Sequence, residues 1–512
     1  MNENKRSAGI NMLIATSLTM LAKLIAVVRQ MVLTYFYGAS SVSDAYLLAQ
    51  SIPNTLFVLI STAIGVSFIP VYSKVLSEEG EKQGNKFINN IISIVLVLSS
   101  ILVAFVLLFS KQIIYIFASG FDKNTAELAA QLLRISIFSV FFIGMVGVLS
   151  SYLKVKNNYF APSIIGIALS VVEIASCFIA YKNNDIILAW GILIANIVQW
   201  IILAGACIKK GYRYYPYIDL NSKYIRLAVM MALPIMVGLG ADEINVIVDR
   251  TMASMFDAGS ISSLTYANTI VSIVHTVISV SINSVVFVQV SQNAANGNEK
   301  TVINDITSGI YKLLLLLVPA TFGLIAYSAP VIRCLYERGN FTAEHTVITA
   351  SLLVFYAMYI IPNGIRIVVQ SYYYAYGKTR FCMYTGLIAV AVNVIFNLFL
   401  SPRMGLKGLA IATTLGVVTS ATILFIGFIR KCERNQRINL GRFFVKTICG
   451  STIMIIPSLI LYRVTASLMA DLLAMLLGIF FACSIYFTYA IIVKLINWSN
   501  VIEITNRILK RR

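Results

Sequence analysis

Charge is what this sequence has least of. Only 12% of its 512 residues are Asp, Glu, Lys or Arg, against about 25% in a soluble domain. With 59% of residues hydrophobic, that scarcity excludes an ordinary soluble globule. Histidine is nearly missing, at His275 and His345 alone, and none of the seven cysteines has CxxC spacing or lies beside a histidine pair. A metal centre or a disulfide framework has no ligand pattern to rest on. There is no DxD motif and no large extramembrane loop, which argues against a membrane glycosyltransferase or polymerase and for a protein that is not an enzyme. Nor is there a basic groove interleaved with base-stacking aromatics, so the net charge of +19 does not point to nucleic acid. The first apolar stretch, 10–37, lacks a small-residue cleavage pattern after a short hydrophobic core, which speaks against a cleaved leader.

What the chain has instead is a recurrence of apolar stretches, each of roughly 20 residues and so able to cross a hydrocarbon core of about 30 Å. Backbone amides in lipid must pair within their own segment, so these stretches are expected to be helices. The expected fold is an all-α integral membrane protein with about 14 transmembrane helices, at 10–37, 44–72, 86–109, 127–152, 160–181, 185–208, 224–256, 262–290, 303–328, 346–374, 381–401, 406–430, 441–463 and 468–495. The loops divide by charge: 26 of the 40 basic residues fall on one side and 8 on the other. That bias predicts a multi-pass bacterial inner-membrane protein with both termini in the cytoplasm. Such a chain is expected to move something across the lipid bilayer.

The sequence also resembles itself at an offset of about 220 residues. Ser43-Asp-Ala-Tyr46 is echoed by Ser263-Leu-Thr-Tyr266, Ile116-Phe-Ala-Ser-Gly-Phe121 by Leu335-Tyr-Glu-Arg-Gly-Asn340, and Lys156-Asn-Asn-Tyr-Phe160 by Lys378-Thr-Arg-Phe381. The repeat predicts two six-helix lobes, 1–220 and 221–437, and an extra helix pair with a basic tail at 438–512. Six is an even number of spans, so the copies are expected to be parallel, as in transporters that work by alternating access.

Six basic residues, Lys23, Arg29, Arg134, Arg250, Lys312 and Arg366, fall inside expected spans. Charges at that depth cost from about 2.5 kcal/mol upwards and usually face a cavity or a partner. Lys23 and Arg29 are candidates to line one. Asp44 opens the second span, where it either serves a bound substrate or caps its own helix. The seventh span holds Asp242, Glu243, Asp249 and Arg250, a helix too polar to face lipid. Asp249 with Asn393, Asn397 and Thr413 supplies one carboxylate, amide oxygens and a hydroxyl, a set suited to a hard monovalent cation such as Na+. Interhelical hydrogen bonds between the asparagines account for the same residues equally well. Glu173 and Asn393 occupy equivalent positions in the repeat. Pro53, Pro234, and Pro362 with Gly364, are expected to bend or interrupt helices.

The run from Arg29 to Tyr72, with Phe36-Tyr-Gly-Ala-Ser40, Ser43-Asp-Ala-Tyr46, Ile52-Pro-Asn54 and Phe68-Ile-Pro-Val-Tyr72, resembles the amino-terminal signature of the lipid II flippases (MurJ/MviN). So do Val248-Asp-Arg-Thr-Met-Ala-Ser254, Glu337-Arg-Gly-Asn-Phe-Thr-Ala-Glu344 and Gly405-Leu-Lys-Gly-Leu-Ala410. The resemblance implies the multidrug/oligosaccharidyl-lipid/polysaccharide exporter superfamily and a role in cell-wall biogenesis. The implied cargo is undecaprenyl-pyrophosphate-linked peptidoglycan precursor, flipped from the cytoplasmic to the external leaflet. The other reading it leaves open is another polyprenyl-linked oligosaccharide. It further implies a monomer working beside cell-wall synthesis proteins, with no cofactor and with Na+ or the membrane potential as energy source. Substrate contacts are expected at Lys23, Arg29, Asp44, Asp242, Glu243 and Arg250. The family's cavity arginines are only partly kept: Lys23 stands for the first, Arg29 is retained, and Phe57 and Thr269 stand where two more are usual. Gln30 stands where an acidic residue commonly follows the retained arginine.

Overall fold

The computed structural model describes the backbone of residues 2–495 and the side chains of 17–57, 67–232, 236, 240 and 243–495. Among the described residues the regular structure is helical, and no strand occurs. Packing divides the chain into two compact units, Met1–Ser263 with Arg338–Thr342 and Leu264–Glu337 with Ala343–Arg512. This partition differs from the halves of the repeat, because the helix that opens the second half packs along helices of the first.

Unit 1 contains α1 (Asn2–Tyr37), α2 (Ser41–Phe117), α3 (Lys123–Ser136), α4 (Ser139–Val155), α5 (Phe160–Lys182), α6 (Ile186–Lys209) and α7 (Lys223–Ala253). α2 consists of two helical arms that fold back on one another at Gly80. Gly80 takes φ 77°, a conformation a side chain would strain. Phe68 and Phe87, which a straight helix would hold about 28 Å apart at 1.5 Å per residue, stack across this turn with ring centroids 5.7 Å apart. The two arms of α2 correspond to the expected spans at 44–72 and 86–109. α3 and α4 meet at a 45° bend and are together long and apolar enough for the next span. α1 lies along α5, where a Cβ added at Gly166 would sit 3.1 Å from that of Ala22.

Unit 2 begins within α8 (Ser260–His275), which runs through a π turn at Thr276–Val280 into α9 (Ser281–Ala295). It continues with α10 (Glu299–Ala326), α11 (Ser328–Tyr336), α12 (Ala343–Ala357), α13 (Ile360–Ala375), α14 (Thr379–Met404), α15 (Leu406–Ile429), α16 (Arg434–Ala466) and α17 (Asp471–Ile492). Pro362 sits in the first turn of α13, where its missing N–H costs nothing, and the chain breaks just before it. The terminal pair α16–α17 docks on α10 and α11. Tyr486 donates to the Leu315 carbonyl at 3.0 Å, and Gly450 and Gly478 leave room for Tyr489 and Tyr327.

Among the described residues eleven helices are long and apolar enough to span a membrane, or twelve with the bent α3–α4 pair. The expected count of fourteen is therefore not reached. The two expected spans outside that tally, 44–72 and 224–256, lie on helical backbone that includes side chains outside the described set, at 58–66 and between 233 and 242. Pro234 and Asp242 are among those side chains.

At the Gly80 turn, Lys156 Nζ lies 2.5 Å from Glu81 Oε1 and Lys223 Nζ 2.8 Å from Glu79 Oε1. These hydrogen bonds, with one from the Tyr224 hydroxyl to Glu79, hold both carboxyl groups below their ordinary range. A carboxylate lowered in this way stabilises the folded turn above its unfolded value and ceases to do so as pH falls through the folded one. Amide exchange in the turn around Gly80 is expected to stay slow above about pH 5 and to quicken as the pH drops below about 4. Hydrogen–deuterium exchange measured across that range checks this, and the double variant Lys156→Ala, Lys223→Ala should abolish the dependence.

Candidate functional site

The retained arginine does not stand free. Arg29, on α1, turns onto α5, where its Nη1 lies 2.6 Å from Glu173 Oε2, while Lys23 one and a half turns earlier is exposed. The Glu173 side chain is 1% exposed and that of Arg29 22%. Gln50 on α2 donates from Nε2 to both oxygens of Glu173, at 3.0 Å each, and the buried Tyr46 hydroxyl adds a further hydrogen bond. A buried carboxylate is tolerable only when its lone pairs are filled. Here a guanidinium, an amide and a phenol from two other helices fill them. Glu173 thus supplies the counter-charge that Gln30, beside the arginine in sequence, cannot. Gln30 is itself buried.

Two positions where the resemblance places further arginines carry none, and the structure gives each another use. Phe57 is fully buried against α4, where a Cβ on Gly144 would come within 2.6 Å of its ring and 2.5 Å of Val95. Thr269 returns its hydroxyl to its own helix, donating to the Thr265 carbonyl at 2.7 Å.

Asp44 does not cap its own helix. The start of α2 is capped by Ser40 in a reciprocal pair with Ser43. The Asp44 carboxylate, 2% exposed, instead accepts from the backbone N–H of Gly259 at 2.8 Å and of Ser262 at 2.7 Å. It therefore caps the N-terminus of α8, where a negative charge also meets the positive end of the helix dipole. Around it the turns of unit 1 touch through bare backbone. Gly38, Gly259 and Gly339 have φ of 60°, 90° and 59°. A Cβ at any of the three would strike a backbone carbonyl, of Asn340, Ala39 and Tyr35 respectively. Asn340 donates from its backbone to the Tyr35 carbonyl at 2.9 Å and from its side chain to that of Phe36 at 2.5 Å. Gly120 completes the junction by donating to Ser254 Oγ at 3.0 Å. The motifs quoted from Phe36–Ser40 and Glu337–Glu344, with the turn at Gly259, are the pieces of this clasp.

On α7, Glu243 and Asp249 lie near enough to act electrostatically on Arg250. Asp242 lies outside the described side chains. In unit 2, Asn397 on α14 donates to Asn393 Oδ1 at 2.9 Å, and Asn393 donates across to Thr413 on α15 at 3.2 Å. Three of the four candidate cation ligands are thus brought together, bonded to one another. The fourth, Asp249, belongs to unit 1. Gln50 and the Gly259–Ser262 amides are functional contacts that sequence reasoning missed, and their partners 123 to 218 residues away left no local signal.

A family model described as "Lipid II flippase MurJ" matches residues 33–493. A probable lipid II flippase MurJ of Rickettsia prowazekii is 25% identical over 504 residues, covering 95% of this chain and 98% of the relative. One from Buchnera aphidicola subsp. Acyrthosiphon pisum is 26% identical, covering 87% and 88%. Among solved structures, a lipid II flippase MurJ in an inward closed conformation superposes with a TM-score of 0.80 at 24% identity, covering 94% of this chain and 98% of that one. An inward-facing multidrug resistance MATE family transporter of the MOP superfamily gives 0.65 at 15% identity, covering 84% and 98%.

The buried pair makes a direct prediction. Glu173→Gln or Arg29→Met alone is expected to cost about 3 kcal/mol, because each strands the other's charge. The double variant should lose far less than the sum. Unfolding in mixed micelles, run as a double-mutant cycle, measures the difference.

Proposed function

The chain belongs to the lipid II flippase MurJ family, and on that footing we propose that it flips undecaprenyl-pyrophosphate-linked peptidoglycan precursor from the cytoplasmic to the external leaflet by alternating access. The observation that carries this reading is the length of the family match, 33–493, which runs from the end of α1 through the terminal pair docked on α10 and α11. In this reading the basic loops and both termini face the cytoplasm, and the glycine clasp around Asp44 closes the external end. The cargo's pyrophosphate carries the charge to be recognised, and its prenyl tail stays in lipid. Lys23 offers an exposed point charge. Arg29 offers a planar fork, the better match to a phosphate. Because Glu173 already holds that fork, an arriving phosphate has to share it with a buried carboxylate. The pair lets the empty protein keep Arg29 without the cost of an unpaired buried ion.

The test is complementation in a bacterium whose own lipid II flippase can be depleted, with lipid II in the external leaflet quantified by a leaflet-specific label. Expression of the parent chain is expected to restore external lipid II, and Arg29→Ala at equal membrane abundance to abolish the rescue. If the parent chain reached normal abundance and external lipid II stayed at the depleted level, the reading would be wrong.

A further inference from the structure

Unit 2 has a polar seam of its own, where α13 packs against the line of α8, the π turn and α9. Tyr359 donates to Asn268 Oδ1 at 2.8 Å, Asn363 Nδ2 and His275 Nε2 lie 3.0 Å apart, and Ser371 donates to Asn283 Oδ1 at 2.9 Å. Neutral contacts of this kind are ordinary adhesion between helices in lipid. Arg366 is not ordinary. It projects from the same helix, half-buried, with its Nε donating to Asn363 Oδ1 at 3.0 Å. No carboxylate among the described residues lies within ion-pair distance of it, whereas Arg29 has Glu173. A full charge in a spanning helix that is held only by a neutral amide faces a cavity or an anion.

The seam is built to aim this side chain. The π turn at Thr276–Val280 widens the helix immediately after His275, a distortion common at functional positions. Gly364, between Asn363 and Arg366, lets α13 approach it: a Cβ there would come within 2.5 Å of Leu317 and 3.0 Å of Ser279 Oγ. Ser279 is fully buried within the π turn, and its hydroxyl has no partner. His275 and Asn363, both already bonded, fix Nε of Arg366 and leave the terminal nitrogens of the fork to a ligand.

We propose that Arg366 is an anion-binding residue of unit 2 that contacts the pyrophosphate of the lipid-linked cargo, with Asn363 and His275 as its positioning residues. This rests on the proposed function and assigns part of the recognition to a helix that carries neither Phe57 nor Thr269. It places in unit 2 a cation that those two positions do not provide.

The test is binding of undecaprenyl pyrophosphate to the full-length protein in nanodiscs, with undecaprenol as the uncharged control and size-exclusion profiles to confirm folding. Arg366→Gln keeps a donor for Asn363 but removes the charge, and should bind about tenfold more weakly or worse. Arg366→Lys should retain an intermediate affinity. Asn363→Asp keeps the acceptor and cancels the charge, and should fall as Arg366→Gln does. A merely structural seam would not distinguish these variants by charge. Unchanged binding by folded Arg366→Gln overturns the proposal alone. Failure of the parent chain to prefer undecaprenyl pyrophosphate over undecaprenol overturns it together with the reading of the cargo.

Discussion

Lipid gives helices no hydrophobic reason to adhere to one another, because the tails are as apolar as the side chains. Adhesion has to come from close backbone approach and from hydrogen bonds, and the rest of this structure depends on that constraint. It explains why so many contacts pass through glycine. Gly166 admits Ala22, Gly144 admits the Phe57 ring, and Gly450 and Gly478 admit tyrosines. It explains why buried polar groups form answering sets, such as Asn393 with Asn397 and Thr413. It also explains why Glu173 is met from another helix by Arg29: a buried carboxylate left without its partner is costly.

The sequence made the helices legible and their partners illegible. Hydropathy located twelve of the fourteen expected spans, counting the bent α3–α4 pair, since length and composition are local properties. The reversal in α2 was already marked by Gly80 in a charged loop, and the broken α12–α13 by Pro362. Asp44 was noticed for the right reason, as a carboxylate near a helix start, but its helix is α8, whose first turn lies more than 200 residues onward. Glu173 entered only as a position equivalent to Asn393. Nothing in the periodicity of α5 says that α1 will lay a guanidinium against it. Phe57 and Thr269 look like losses in a line of sequence. In three dimensions one fills the space above Gly144 and the other bonds its own helix.

These departures describe a redistribution of charge. The counter-ion usual beside the retained arginine has moved to α5, and unit 2 keeps a cation on α13. Each unit thereby holds an arginine in a defined place, one against a carboxylate of another helix and one against an amide of its own. The two differ in how firmly they are committed: displacing Glu173 means competing with an ion pair, whereas Arg366 gives up nothing to accept a phosphate oxygen.

The clasp around Asp44 has a thermal consequence. It is made of amides, carbonyls and one carboxylate meeting at glycines, with little side-chain surface between them. Heat capacity changes chiefly when apolar surface enters or leaves water. Parting such a junction hydrates polar backbone, so its free energy varies gently with temperature, unlike a greasy seal that weakens on cooling. A junction of this composition loses less of its strength on cooling than an apolar one would.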